Sequence, residues 1–200
     1  MFKIRICGYL CFLWFLINPG QLCAQKSTYA VRFAGMEIGE ITTSLTESEH
    51  IQTYEVISDV SFKVLWKKYN RRTINLVTYE NEAMKTSYSG VYINNDLEDS
   101  ASMNLEYEKY YCYRYPDERF VLNDAQVGFT SVMLYYQEPV GIEKVYSERF
   151  LEYCSLEALD DHKYKLYLPN RKVNYYTYEE GVLLEIFVDR TWFNLRFQRK

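Results

Sequence analysis

From Thr28 onward, apolar and polar residues alternate in short runs, which is the two-residue period of a strand with one face buried. "TYAVRF" sets Tyr29, Val31 and Phe33 on one face, and "IGEITTSLTE" does the same with Ile41, Thr43 and Leu45, while Gly35 to Gly39 turns the chain between them. Further strands run through Tyr54, Val56, Ser58, Val60 and Phe62, through Arg72, Ile74, Leu76 and Thr78, and through Tyr88, Gly90 and Tyr92. "TESEH", "INND" and "YPDER" supply the Asn, Asp, Ser and Pro that favour tight reversals. Near the C-terminus, "KYKLYLP", "NYYTY", the reversal Glu179 to Gly181, "VLLEIFVD" and "WFNLRF" read as successive antiparallel strands. They follow one another too closely for the helical crossovers of a parallel sheet.

One segment departs from this period. In "VGFTSVMLYYQEP", Phe129, Val132, Met133 and Tyr136 fall at i, i+3, i+4 and i+7, which predicts a short helix over 127–136, closed by Pro139. No internal repeat, low-complexity tract or linker interrupts residues 25–200, so they read as one domain. The expected fold is all-β: a single antiparallel curved sheet or partial barrel of about nine to eleven strands with one short helix. Such sheets curl because closure removes exposed edges.

Tyrosine is abundant, with 21 in the chain. In "YEKYYCYRY" a strand would place Tyr107, Tyr111, Tyr113 and Tyr115 on one face and Tyr110 and Cys112 on the other. Aromatics on both faces, recurring in nearly every other strand, point to a way of building the sheet rather than to a stacking platform. Tyrosine buries a ring while its hydroxyl keeps a polar partner.

The chain opens with Lys3 and Arg5 before an apolar run from Ile6 to Ile17, then Asn18, Pro19 and Gly20, and then Ala24. This order predicts a secretory signal peptide over 1–24 and a periplasmic or secreted chain beginning at Gln25. The run is too short for a membrane-spanning helix, which takes about 20 apolar residues. Leu22 and Gly20 stand in the reverse of the order that acylation of Cys23 requires. Removing residues 1–24 takes two of the 23 basic residues and none of the 27 acidic ones, moving the net charge from −4 to −6. That balance argues against a nucleic-acid partner. Cys112 and Cys154 then remain, either as one disulfide or as two small buried thiols.

The chain marks no catalytic residue, metal site or cofactor loop. His50 and His162 lie in turns, Gly-x-Ser-x-Gly is absent, and no glycine-rich loop cradles a phosphate. The candidate functional patch is "WKKYNRR", where Trp66 and Tyr69 interleave with Lys67, Lys68, Arg71 and Arg72. Either it holds an anionic head group or it is a charged strand end that prevents edge pairing. Two functions follow. One is a carrier with an apolar pocket inside the curved sheet, capped by Phe129, Met133 and Tyr136, whose mouth near the basic patch takes an amphipathic small molecule. The other is a non-catalytic interaction protein that engages an envelope component through a sheet edge or the basic patch.

"YAVRFAGMEIGEI", "GFTSVMLYYQEP", "YSERF" and "YKLYLPNRKVNYYTYEEG" together resemble a domain-of-unknown-function family of secreted Bacteroidetes proteins. More distantly, the Tyr-x-Val opening and C-terminal meander are similar to a wider envelope family. The resemblance implies an exported, mostly β domain and transfers no catalytic residue.

Overall fold

The computed structural model describes residues 23–64, 66–123, 127–190 and 193–200, and the predicted signal peptide lies almost wholly outside them. Fourteen strands form one antiparallel sheet. They are β1 (Cys23–Phe33), β2 (Met36–Ser48), β3 (Ile51–Val64), β4 (Lys67–Glu80), β5 (Ala83–Ile93), β6 (Asp96–Glu106) and β7 (Lys109–Arg114). After them come β8 (Glu118–Leu122), β9 (Lys144–Ser147), β10 (Glu152–Ala158), β11 (Lys163–Tyr167), β12 (Val173–Glu179), β13 (Val182–Arg190) and β14 (Phe193–Arg199). Sequence neighbours pair throughout, except that β1 pairs with β14 and no ladder joins β8 to β9. The strand number exceeds the nine to eleven expected because strands as short as β8 and β9 offer too few alternations to be read.

Reversals are tight where both central residues take positive φ, as at Ala34–Gly35, Asn94–Asn95 and Glu180–Gly181. Such turns match the twist of the strands they join. Bulges after Val31, Thr78, Val91 and Thr177 add bend. The sheet curls until its two edges approach, and side chains close the seam. The Tyr146 hydroxyl donates to Met103 Sδ at 3.4 Å, Arg149 pairs with Asp99 at 3.0 Å, and Arg114 donates to the Phe150 carbonyl.

The concave face holds the core, which includes Tyr29, Val31, Ile41, Val77, Tyr79, Met84, Met103, Tyr110, Leu166 and Ile186. In β4 and β5 the inward residues are Val77, Tyr79, Ser87, Ser89 and Val91. Ile74, Leu76, Tyr88 and Tyr92, read from the alternation as one face each, lie on the outer face and are half-buried. There Tyr88 covers Gly90 and meets the Tyr92 hydroxyl at 2.8 Å.

The expected helix over 127–136 is replaced by an irregular segment with a single 3-10 turn, Met133–Tyr135. Thr130 bridges to Tyr146 of β9 instead of continuing a helix, and the Val132 amide donates to Glu148 Oε1 at 3.0 Å. The stripe is apolar because it is buried: Val127, Val132 and Leu134 are sealed, and Phe129, Met133 and Tyr136 contact the core. Beyond this one bridge to β9 the segment joins no ladder, which leaves carbonyls that need donors. Buried tyrosines supply them, Tyr79 to Gly128 at 3.0 Å and Tyr178 to Leu134 at 2.6 Å.

Candidate functional site: the hairpin-bearing end

The β3–β4 hairpin outruns its neighbours. β2 stops pairing with β3 at Val60, and β5 stops pairing with β4 at Arg71, yet β3 and β4 continue through Ser61↔Asn70, Phe62↔Tyr69, Lys63↔Lys68 and Val64↔Lys67. At about 3.3 Å per residue, these four pairs extend roughly 13 Å beyond the rim. Phe62 and Tyr69 stack at 5.6 Å and 14°, and the Lys67 ammonium sits 5.3 Å from the Tyr69 ring centre. Asn70 and Asn94 exchange bonds of 3.0 and 2.8 Å at the base. Trp66 stands 91% exposed at the tip.

The predicted stretch Trp66 to Arg72 is therefore divided by the pleat. Lys67, Tyr69 and Arg71 share the side that continues the concave face. Lys68 and Arg72 share the outer side, where Arg72 pairs with Asp59 at 3.7 Å. Phe129, Met133 and Tyr136, expected beside this patch, sit instead in the deep and opposite part of the curved sheet. There Tyr136 meets Tyr54 at 5.1 Å and Met133 accepts from Tyr79 at 3.4 Å. The apolar pocket expected between them is thus filled by the segment itself.

Toward the hairpin the concave face changes character. Ser58, Thr73, Asn75 and Asn174 point inward by register yet remain half-exposed, forming a polar vestibule. Arg71, Arg149 and Arg190 stand at its mouth with Asp99. Burial, and then the charge of Arg149, push the Arg71 guanidinium toward losing its proton, opposed by Asp99. No local pattern in the sequence connects Arg149 and Arg190 with Arg71, since they are far apart along the chain.

The two ends differ in charge. At the hairpin end Asp59, Asp99 and Glu118 are paired with arginines while Asp96, Glu98 and Asp117 are not, and Lys63, Lys67, Lys68, Arg171 and Lys172 make no ion pair among the described residues. The turns at the other end carry Glu47 and Glu49, Glu80 and Glu82, Glu106 and Glu108, Asp160 and Asp161, and Glu179 and Glu180. His162 belongs to that end, 2.9 Å from Glu138, and no group of residues suited to a metal occurs among those described. A cleft of about 600 Å³ lined by Ala30, Thr177, Glu185 and Gln198 opens on the outer face of the sheet.

Two buried features are structural. Glu148, 1% exposed, accepts from Ser131 and from the Val132 amide, and burial raises its pKa. Through these two bonds it anchors the interior segment. Cys112 and Cys154 are both buried free thiols, so of the two readings of this pair the structure carries the unbridged one. Burial, then Glu152 and Glu148, push the Cys154 thiol up to about 12.

Comparison with known proteins agrees with this architecture. A family described as a domain of unknown function, DUF6134, matches residues 29–200. A crystal structure of a beta-barrel-like protein of the domain of unknown function DUF1849 from Brucella abortus superposes with a TM-score of 0.56. It shares 10% identity over 90% of this chain and 97% of its own. At that identity the likeness concerns the fold alone. No curated protein matches the sequence. No helix among the described residues is long and apolar enough to cross a membrane.

Proposed function

The chain belongs to the DUF6134 family of domains of unknown function, and we propose that it is a non-catalytic envelope module that docks its hairpin-bearing end on an anionic lipid surface. The observation that carries this reading is Trp66, held 91% exposed at the tip of a braced hairpin beside Lys63, Lys67 and Lys68. Tryptophan favours the membrane–water interface, and each lysine near an anionic surface contributes about 1 kcal/mol. The acid-rich turns at the far end would be repelled by the same surface, which orients the molecule. The signal-like start supports placing the protein in the periplasm or outside the cell.

Carriage of an amphipathic molecule within the sheet fits the interior less well. Its deep half is occupied by Val127 to Tyr136 and its outer half is polar, so an alkyl tail would find little apolar volume among the described residues.

Vesicle flotation tests the docking reading. The chain beginning at Gln25 should float with phosphatidylglycerol-containing vesicles and not with pure phosphatidylcholine, and salt should weaken the association. Trp66→Ala and the double change Lys67→Glu/Lys68→Glu should each reduce it several-fold. Equal binding to neutral vesicles, or indifference to both variants, would remove this reading.

A further inference from the structure

We propose that Arg71, Arg149 and Arg190 form a binding site for a phosphate-type oxyanion in the polar vestibule. The placement follows from register. Thr73 lies opposite Val91 and Val91 opposite Asp99, so Arg71 and Asp99 line one wall two strands apart. Arg149, from the turn after β9, reaches across the seam and grips Asp99 Oδ2 through Nε at 3.2 Å and Nη2 at 3.0 Å. Arg190, at the end of β13, donates to the Val173 carbonyl and to Asn174 Oδ1, both at 3.2 Å, and to the Asp189 carbonyl at 2.6 Å.

Two of the three guanidiniums are thus held by protein groups. Arg71 is not: although half-buried, its guanidinium makes no hydrogen bond or salt bridge with any described residue. Five donors in a rigid fork are left for a ligand. Burial and the charge of Arg149 lower the pKa of Arg71 against the pull of Asp99, and burial, Arg149 and Arg71 lower that of Arg190 against Tyr176 and Asp189. An oxyanion relieves that repulsion and matches the fork of Arg71 in two parallel bonds. Ser58, Thr73 and Asn75 line the wall below with neutral hydrogen-bonding groups.

The site requires no bilayer, so it stands apart from the docking reading. The shared chemistry is a tetrahedral phosphate oxyanion, supplied either by free phosphate or by a lipid phosphodiester. Thermal melting and calorimetric titration of the chain from Gln25 with inorganic phosphate, and separately with glycerophosphoglycerol, test it against chloride at equal ionic strength. Bound anion raises the melting temperature by mass action.

Wild type is expected to be stabilised by at least one of the two probes. Preference for the diester assigns the source to a lipid head group, and preference for inorganic phosphate assigns it to the free ion. Arg71→Gln should weaken binding at least tenfold while melting no lower than wild type in chloride, because it removes an unpaired cation. Arg71→Lys keeps the charge without the fork and should fall between them, and it serves as the folded comparison if the glutamine variant is unstable. Trp66→Ala should keep full affinity for both soluble probes. No stabilisation beyond chloride, or unchanged affinity in both Arg71 variants, would overturn the assignment.

Discussion

The Tyr178 hydroxyl donates a 2.6 Å hydrogen bond to the Leu134 carbonyl, tying β12 to the segment that fills the curved sheet. Both residues are buried, so the carbonyl has no water to fall back on. Tyr178→Phe keeps the ring and removes the donor. It should cost about 1–3 kcal/mol in urea unfolding, the range for a buried polar group left unpaired. Tyr167→Phe, which loses an exposed bond to Glu157, should lie within about 0.5 kcal/mol of wild type.

Gly39 allows β2 and β3 to approach closely. A Cβ there would lie 2.2 Å from the Asp59 carbonyl oxygen and 2.7 Å from the Val60 Cα, and both contacts are backbone. Gly39→Ala should destabilise by about 1–3 kcal/mol through strand displacement. Gly128→Ala, where the added carbon meets nothing within 4 Å, provides the comparison in the same unfolding experiment.

Burial is the largest influence on Glu148 and raises its pKa against the hydrogen bonds of Ser131 and Val132. The folded state therefore holds the proton more tightly than the unfolded chain. Its contribution is full below the unfolded carboxyl value of about 4.3 and is lost as pH rises through the higher folded value. Glu148→Gln retains an acceptor for the Val132 amide and does not ionise. Its melting temperature relative to wild type should increase as pH is raised from about 4 to about 8, and a constant difference would refute the assignment.

Cys112 and Cys154 should titrate as two thiols in the chain beginning at Gln25 after denaturation, and react slowly when native. Burial raises both pKa values, that of Cys154 to about 12, so little thiolate is present near neutrality. A mass lower by two hydrogens under non-reducing conditions would contradict free thiols.

Much of this fold is legible in local pattern. Alternation marks Tyr29 to Phe33 and Tyr164 to Tyr167 as strands, and "INND" and "EEG" mark reversals, because a strand's period and a turn's positive φ depend on a few adjacent residues. Of the tyrosines read as sheet-building residues, Tyr54, Tyr79, Tyr110, Tyr164, Tyr176 and Tyr178 pack into the core, whereas Tyr107, Tyr111, Tyr115 and Tyr167 are exposed; Tyr110 faces inward while Tyr111 faces out, as the period requires. The basic and aromatic stretch at Trp66 to Arg72 was legible too, since it stands out in an acidic chain.

Other features depended on contacts far apart in sequence. A period of two is the same for both faces of a strand, so only the direction of curling decided that Val77 and Tyr79 face inward and Ile74 and Leu76 outward. Helical spacing in Phe129 to Tyr136 recorded burial rather than helix, because Tyr146, Glu148 and Tyr178 satisfy that backbone from elsewhere. The meeting of Arg71, Arg149 and Arg190 required the seam to close and the strand ends to align. The sequence by itself determined strands, reversals and the exposed patch because those are properties of neighbouring residues. Inside from outside, the filled interior and the arginine mouth were decided by the tertiary structure, because curvature and closure arise only when the whole sheet is assembled.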